Sequence, residues 1–306
     1  MNRPPPLMRA TARRLDGNPI IRNFADRRIG ANVNGPSLIR TTDWMTGRLG
    51  RYHLYFAHHL GSHIRQAYAD RLDGPWATHT PGTLDICQMP WLYDHCASPD
   101  VHVDHDRREV RMYVHGVSSP EPWRDPVQSS YVALSSDSVR FTPLPARLGA
   151  SYFRVWQWDQ SYFALSLGGR LWRASDATGP FERGPRLAGL PANTRHLAVL
   201  PKAGGLWVAW SVIGDCPERI YVGLVQLARD WSGWSLGHVQ EVLRPAEDWE
   251  GAGLEPRPSE AGLAQAPVHQ LRDPAFYSED GRDYLLYAVA GEAGIAIAEF
   301  RIDGGT

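Results

Sequence analysis

The sequence predicts an all-β fold, a five-bladed β-propeller, from two observations. One plan recurs along the chain: an apolar strand, a polar turn, a second strand rich in Tyr, Leu and Val, and a third strand of alternating character. Apolar residues at helical spacing are almost absent. Sheets of three or four strands repeated around an axis fit this pattern, because closing the ring leaves only short strand edges. A β-sandwich is the structural alternative, but it requires no such repeated unit.

Five units follow this plan in chain order. The first and the last comprise residues 34–39, 52–57 and 64–69, and residues 273–277, 284–289 and 295–300. The three units between them comprise residues 98–103, 110–115 and 130–135; residues 152–156, 162–167 and 171–174; and residues 195–199, 206–211 and 220–227. Three of the first strands share a proline near their start, at Pro36, Pro99 and Pro274. We expect residues 18–22 to supply the outer strand of the last blade and so to close the ring.

The repeats extend over most of the chain, so we expect a single domain over residues 1–306. A stretch at about residues 244–269 breaks the pattern, since it is rich in Pro, Gly, Ala and Glu and has no strand alternation. A long irregular segment inside a compact domain is usually functional or mobile. This segment is therefore predicted to be either a lid or a simple connection between blades.

Composition excludes several classes of protein. A formal net charge of -1 gives no electrostatic reason to bind a polyanion, so a nucleic-acid partner is not expected. No apolar stretch is long enough to span a membrane, and the N-terminal residues lack the apolar core of a secretion signal. Three widely spaced cysteines, Cys87, Cys96 and Cys216, do not form a disulfide framework. These features predict a cytoplasmic protein with no membrane partner.

The first strands of the blades converge on the axis of a propeller, so polar residues near their starts can line one pocket. Asp273 is the first candidate, because the residue before a proline is held in an extended conformation. Its alternative role is a turn residue that caps its own backbone. Asp100 lies inside a predicted central strand, on the same face as Ser98 and His102. A charged side chain in that position needs a partner.

Further polar residues lie near the same strand starts, and they are predicted to bind substrate or to assist catalysis: Asn34, Arg154, Arg195, His196 and Arg272. His58 and His59 end a second strand and are predicted to bind substrate. Histidines around an axis can also hold a metal ion, although no compact ligand motif such as H-E-x-x-H is present. A single axial metal ion therefore remains open, and no cofactor is predicted to be required.

Two loops carry carboxylic acids that have both a functional and a structural interpretation. Glu218 follows the second strand of the fourth unit, where it can either reach over the pocket as a proton donor or face solvent. Trp249 and Glu250 lie in the long irregular segment, where an aromatic ring beside a carboxylate suits sugar stacking and hydroxyl recognition. A tryptophan that anchors the segment to the blades is the alternative.

Three groups of residues resemble the five-bladed glycoside hydrolases, especially family 43, the invertase and levansucrase clan, and the neoagarobiose hydrolases. They are Asn18-Pro19-Ile20-Ile21 with Gly35-Pro36-Ser37-Leu38-Ile39, Ala67-Tyr68-Ala69-Asp70 with Asp73-Gly74-Pro75-Trp76, and Arg272-Asp273-Pro274-Ala275-Phe276. The resemblance covers most of the chain. It specifies the architecture better than the substrate, because these phrases are common to the whole superfamily.

The family 43 resemblance implies an Asp base in the first blade, a second Asp that adjusts the pKa of the acid, and a Glu acid from a later blade. This sequence departs from that pattern, because Gly35 precedes Pro36 and the amide of Asn34 cannot accept a proton from water. Asp273 is similar to the Asp of the invertase clan's Arg-Asp-Pro motif, which stabilises the transition state. The neoagarobiose hydrolases use a His as acid, which implies that role for His196, or for His58 and His59.

The predicted function is a glycoside hydrolase that cleaves a terminal or small sugar unit in an axial pocket. Asp100 and Asp273 would be its paired carboxylates, and Glu218 or His196 its acid. Its partner would be a small carbohydrate or glycoside. Two alternatives remain open: a non-hydrolytic lyase, isomerase or cyclase that uses His and Arg, and a catalytically inactive propeller that binds carbohydrate.

Overall fold

A computed structural model describes residues 8–118, 121 and 128–303. Its strands form five antiparallel sheets of four or five strands each. The first strand of each blade packs beside the first strands of neighbouring blades around a common axis. The predicted all-β, five-bladed β-propeller is therefore confirmed.

Two strands precede the first blade: β1 (Arg9–Arg14) and β2 (Ile21–Arg22). Blade one comprises β3 (Asn34–Arg40), β4 (Tyr52–Ala57), β5 (His63–Ala69) and β6 (Ala77–Asp85). Blade two comprises β7 (Ala97–Asp104), β8 (Glu109–Val117), β9 (Gln128–Ser135), β10 (Thr142–Pro143) and β11 (Gly149–Ala150). Each predicted three-strand unit of these two blades is present, and each blade has additional outer strand segments.

The remaining blades have the same order. Blade three comprises β12 (Arg154–Trp158), β13 (Ser161–Ser166), β14 (Arg170–Ala174) and β15 (Glu182–Arg186). Blade four comprises β16 (Thr194–Lys202), β17 (Gly205–Val212), β18 (Ile220–Val225) and β19 (Leu236–Leu243). Blade five begins with β20 (Arg272–Glu279), β21 (Arg282–Val289) and β22 (Gly294–Asp303). The inner strands of the five blades are thus β3, β7, β12, β16 and β20.

Helical structure in the described ranges is limited to short 3-10 turns, at Ile86–Gln88, Leu167–Gly169, Trp231–Gly233 and Asp248–Glu250. None of the helices in this part of the chain is long and apolar enough to cross a membrane. Cys87, Cys96 and Cys216 all carry free thiols.

The ring is closed by the N-terminal strand, but not by the segment that the sequence favoured. β1 pairs along its whole length with β22, and Arg9 lies opposite Asp303. The predicted segment contributes only β2, whose Ile21 pairs with Ile295. The prediction was wrong about the main closing strand because β1 has the sequence Arg-Ala-Thr-Ala-Arg-Arg, which contains no large apolar residue.

Aromatic side chains fill the spaces between neighbouring blades. Phe163 of blade three packs against Trp234 of blade four with ring centroids 4.9 Å apart. Trp207 of blade four packs edge-on against Phe300 of blade five at 6.2 Å. Such rings bury large apolar areas and favour offset or edge-on geometry. Neighbouring sheets are therefore held together by packing of apolar side chains. The strand starts near the axis can carry polar groups instead.

Four of the five inner strands begin with an irregular backbone at their first residues. The pairing register shifts near the start of β3, β7, β16 and β20. Three of these strands place the residue before a proline in the left-handed region, with φ of 56° at Gly35, 49° at Ser98 and 48° at Asp273. This conformation costs free energy for residues other than glycine and is concentrated at functional sites. The starts of the inner strands are therefore candidate positions for functional residues as well as for strand pairing.

The irregular segment lies between β19 and β20. At one end, Glu250 is fully buried, and its carboxylate accepts hydrogen bonds from Arg14 Nε at 2.8 Å and the Tyr287 hydroxyl at 2.9 Å. At the other end, residues 258–268, here called the strap, lie across the starts of β16 and β20. The carbonyl of Gly262 accepts from Arg195 and Arg272 at 3.3 and 3.2 Å. The strap is thus held against the starts of the inner strands of blades four and five.

Candidate active site

The propeller has two mouths, an entrance mouth where the inner strands begin and an exit mouth where they end. The entrance mouth holds a group of buried charged side chains, here called the entrance cluster: Arg195, His196, Glu218, Arg272, Asp273 and Glu292. Arg195-His196 and Arg272-Asp273 occupy the starts of β16 and β20, which pack side by side. Two separate dipeptides of the sequence therefore meet in one place.

Asp273 is paired with His196 inside this cluster. Its Oδ1 lies 2.5 Å from His196 Nδ1, and only 1% of the Asp273 side chain is exposed. Burial alone would raise the pKa of this carboxyl, but the interactions with His196, Arg272 and Arg195 prevail and lower it. Asp273 is therefore ionised at neutral pH. Its second oxygen, Oδ2, has no hydrogen-bond partner among the described residues, so it is free to accept one from a bound molecule.

Glu218 lies at the centre of the arginines and is fully buried. Its Oε1 accepts from Arg195 Nε at 2.9 Å and from the Ser211 hydroxyl at 2.7 Å. Its Oε2 lies 3.2 Å from Arg272 Nε. Glu218 is thus placed to fix the two arginines, and this geometry disfavours the proton-donor role considered for it from the sequence.

Glu292 is a member of the cluster that sequence analysis missed. Its carboxylate lies 3.2 Å from His59 Nδ1 and 3.5 Å from Arg272 Nη1, and it also accepts from the Asn32 side-chain amide. Burial and the charge of Asp273 raise its pKa, but the hydrogen bond from His59 and further favourable contacts lower it overall. The β21–β22 turn carries Glu292 to the entrance mouth, because β21 runs antiparallel to β20 and ends beside its start. The antiparallel order of the predicted strands could therefore have placed Glu292 at the entrance mouth from the sequence.

A stack of rings forms one wall beside Asp273. Tyr152 lies between His115, at a centroid distance of 4.0 Å, and His196, at 4.7 Å. His95 contacts the far edge of His115 at 5.6 Å. Burial, together with the charges of His95 and Arg154, lowers the pKa of His115 well below its ordinary value. His115 is therefore neutral, and Tyr152 has a histidine ring against each of its two faces.

The other side of the mouth is formed by the end of β4 and the start of β3. The backbone N–H of His59 donates to Asn32 Oδ1 at 2.9 Å, and Asn34 donates to the same oxygen at 3.3 Å. His59 keeps 21% of its side chain exposed, and its Nε2 has no hydrogen-bond partner in the described part of the chain. Its neighbour His58 is half-buried, and burial lowers its pKa. Of the two histidines, His59 has the carboxylate partner.

Comparison with known proteins gives one informative relative and a group of similar folds. No protein-family model matches the chain. "Uncharacterized protein R118" of Acanthamoeba polyphaga mimivirus is 34% identical over 296 residues, which covers 87% of this chain and 82% of the viral protein. The chain belongs to the family of this mimivirus protein. The family has thus been identified by a relative whose own name states no activity.

The fold of this mimivirus-related chain is that of family 43 glycoside hydrolases. A GH43_1 enzyme from Xanthomonas citri in complex with xylose has a TM-score of 0.60 at 13% identity and covers 90% of both chains. CoXyl43, a β-xylosidase/α-arabinofuranosidase from a compost metagenome, has a TM-score of 0.59 at 12% identity and covers 95% of both. The α-L-arabinanase of Cellvibrio cellulosa has a TM-score of 0.53 at 13% identity, covering 89% of this chain and 91% of its own. The resemblance inferred from sequence is confirmed as a shared architecture.

One backbone position recurs at the starts of three inner strands of this family member and carries a carboxylate in only one of them. Gly35, Ser98 and Asp273 occupy the same position before proline at the starts of β3, β7 and β20. The first blade has no side chain there, while the fifth blade has a carboxylate. Of the three strands, only β20 therefore has an acidic residue at this backbone position, and that residue is Asp273.

The structure does not bring Asp100 to Asp273. Asp100 Oδ2 accepts from the backbone N–H of Val155 at 2.8 Å and lies 2.9 Å from His102 Nε2. These contacts place Asp100 beside a cavity at the exit mouth, whose walls do not include Asp273. Alternation along β7 gave the correct face of the strand, toward the axis, but it could not show which mouth the side chain approaches.

Three other predicted residues lie apart from the entrance cluster. Arg154 lies on the axis, where its Nε donates to the Leu197 carbonyl at 3.0 Å. Glu250 lies at the outer contact with β1, where Arg14 holds it, and Trp249 packs against the core between blades four and five. This geometry gives Trp249 and Glu250 an anchoring position for the long segment, away from the entrance mouth.

The acidic and histidine side chains are among those that could bind a metal ion. In the ranges that the structure describes, no group of three or more His, Cys, Asp or Glu side chains is arranged to hold a metal ion. In the entrance cluster, Glu218 pairs with Arg195, Asp273 with His196 and Glu292 with His59. The axial metal considered from the sequence stays a prediction.

Proposed function

We propose that this protein is a glycoside hydrolase that acts on a small or terminal sugar unit at the entrance mouth. The observation that carries the proposal is Asp273, a buried, ionised carboxylate with one oxygen free beside a wall of aromatic rings. A free carboxylate oxygen can accept a proton from water or stabilise positive charge at an anomeric carbon. The Tyr152 ring, whose two faces are covered by His115 and His196, can contact a sugar only with its edge.

We assign the acid role to His59. Glu292 accepts from its Nδ1 and so orients the ring, while Nε2 is left for a substrate. When the ring is protonated, Nε2 carries a proton that it can give to a departing oxygen. Glu218, with Arg195 and Arg272, would hold Asp273 and Glu292 in place. His196 would act by positioning Asp273.

The choice of substrate follows the similar folds. The Xanthomonas citri GH43_1 enzyme has been solved with xylose and xylotriose, and CoXyl43 is a β-xylosidase/α-arabinofuranosidase. We therefore propose pentose-bearing glycosides as the first substrates for this chain. Aryl xylosides and arabinofuranosides should be assayed first, followed by aryl hexosides.

The test is turnover of these aryl glycosides by the full chain and by Asp273→Asn. The amide keeps the size of the side chain but removes the charge, so we expect kcat/KM to fall by about 10³ or more. Asp43→Asn is the matched control, because that carboxylate is fully exposed and pairs only with Arg48. Equal activity in wild type and Asp273→Asn would refute the assignment.

A non-hydrolytic reaction is the second candidate, favoured by the absence of a side chain at Gly35, where family 43 would place its base. A lyase, isomerase or cyclase could use the histidine and arginine groups of the entrance cluster instead. Product mass separates the two functions. Hydrolysis adds one water across the bond that breaks, whereas elimination, isomerisation and cyclisation add none.

A further inference from the structure

A separate cavity opens at the exit mouth, at the opposite end of the axis from the entrance cluster. It has a volume of about 510 Å³, within the range of roughly 300–1,000 Å³ typical of small-molecule sites. The ends of β3, β7 and β20 form most of its wall. Its polar lining includes Thr42, Asp100, His102 and Arg154, and Phe276 contributes an apolar surface. The proposed catalysis uses none of these residues.

Asp100 gives this cavity a carboxylate with one uncommitted oxygen. Oδ2 accepts from Val155 N–H and lies beside His102 Nε2, whereas Oδ1 has no hydrogen-bond partner among the described residues. Burial would raise the pKa of Asp100, but His102 and the charge of Arg154 lower it. The cavity therefore contains an ionised acceptor that is held in a fixed position.

Arg154 provides the exit-mouth cavity with a hydrogen-bond donor that has no partner among the described residues. Arg154 is 3% exposed as a residue, and its guanidinium donates to the carbonyls of Leu197, Ser98 and Pro99 at 3.0–3.2 Å. Its Nη2 makes no hydrogen bond with any described residue, and no carboxylate of the described chain lies within ion-pair distance. The buried guanidinium groups of Arg195 and Arg272, in contrast, both pair with Glu218. A buried donor without a partner is costly, so Nη2 would gain from a hydrogen bond to an ordered water or to a bound molecule.

The remaining charges of the cavity are committed to each other. Glu279 accepts from the hydroxyls of Tyr52 at 2.8 Å and Tyr277 at 3.1 Å. Arg40 pairs with Asp280 at 3.1 Å. A third free group is the buried hydroxyl of Thr42, which has no partner in the described part of the chain. The uncommitted groups are thus one acceptor, one donor and one hydroxyl.

This combination specifies the charge of the ligand. Asp100 and Arg154 carry opposite charges, so together they favour a ligand with no net charge. Hydroxyl groups both donate and accept, so neighbouring hydroxyls can satisfy Asp100 and Arg154 together. We infer that the exit-mouth cavity is a second binding site, for a neutral monosaccharide unit such as a pentose or hexose. The site stands on its own contacts and does not depend on the proposed hydrolysis.

The test measures binding of D-xylose, L-arabinose, D-glucose and D-galactose to the full chain. Saturation-transfer NMR detects the binding, and calorimetry gives the affinity. We expect saturable binding of at least one sugar, weakened tenfold or more in Asp100→Asn. Thr42→Val is the second variant, because it keeps the side-chain shape and removes a hydroxyl that supports no fold contact. It should fold normally and bind several-fold more weakly. Glu255→Gln is the control, because Glu255 is exposed, pairs with Arg257 and lies outside this cavity, so its affinity should be unchanged.

A crystal soaked with the sugar that binds should then show it against Asp100 and Arg154. The inference is overturned if none of the four sugars gives saturable binding, if the cavity holds ordered water only, or if Thr42→Val and Asp100→Asn bind like the wild type. It is also overturned if Asp273→Asn abolishes all binding, because every sugar would then occupy the entrance mouth. Loss of hydrolysis in Asp273→Asn tests only the proposed function, so the two failures are distinguishable.

Discussion

Gly35 and Asp273 occupy the same backbone position in neighbouring blades: each precedes a proline at the start of an inner strand, with φ of 56° and 48°. A carboxylate at Gly35 is excluded by its surroundings, because a Cβ atom there would lie 2.9 Å from Ser98 Cα. The ring therefore has room for an acidic residue at this position in blade five and none in blade one. This difference between equivalent positions leads to the first prediction.

Gly35→Ala should destabilise the protein by about 1–3 kcal/mol, because it adds a left-handed non-glycine residue and a backbone clash. Thermal unfolding monitored by circular dichroism would measure the loss. Gly204→Ala is the control, since a Cβ atom there meets nothing within 4 Å. Its stability should stay within about 0.5 kcal/mol of the wild type. Equal melting temperatures for both variants would contradict this account of Gly35.

Glu218→Gln should destabilise the fold strongly, because it leaves the buried guanidinium groups of Arg195 and Arg272 without their counter-charge. Breaking a buried ion pair by removing one partner typically costs about 3–5 kcal/mol. Urea unfolding would measure this change. Glu255→Gln removes a carboxylate from an exposed pair with Arg257, which should cost less than about 1 kcal/mol. A Glu218→Gln protein as stable as the control would show that the pair is not needed.

His59→Ala should reduce hydrolysis according to the leaving group. A departing alkoxide needs a proton, so glycosides with poor leaving groups should lose about 10²–10⁴ in kcat. Nitrophenyl glycosides need little protonation and should lose much less. His238→Asn is the control, because His238 is exposed and its left-handed backbone is tolerated by Asn. A loss independent of the leaving group would assign His59 a role other than acid.

His53 should make stability depend on pH below neutrality. It is buried in blade one, and burial lowers its pKa from its ordinary value of 6.5 to about 4. Between these values the unfolded chain binds the proton and the folded chain does not, so stability falls as pH decreases from 6.5 toward 4. The steepest slope from one such group is about 1.4 kcal/mol per pH unit. His53→Gln should show a shallower decline in urea unfolding over that range, and an identical slope would contradict the assignment.

The sequence predicted the inner and middle strands well, because their buried faces carry apolar residues in strand patterns. The predicted unit 284–289 corresponds to Arg282–Val289, and 52–57 matches Tyr52–Ala57. Outer strands such as Glu182–Arg186 were not predicted, because they are largely exposed and lack an apolar alternation. β1 was missed for the same reason.

The candidate site could be predicted only in part. Arg195, His196, Arg272 and Asp273 were identified because strand starts converge on the axis of a propeller. Glu292 was missed because it lies in a turn between two later strands and belongs to no motif. The distance of Asp100 from Asp273 depends on how deep each side chain lies along the axis, and strand alternation carries no information on depth.

The closure of the ring by β1 has a consequence for how the chain can be reconnected. Arg9 and Asp303 lie opposite each other in one sheet, so the two described ends of the polypeptide are spatial neighbours. A short linker between them, with new termini at the exposed turn around Gly204, would give a circular permutant with the same set of blades. In that permutant β1 and β22, the two strands that close blade five, would be joined covalently. The last blade could then no longer separate by release of its outer strand β1.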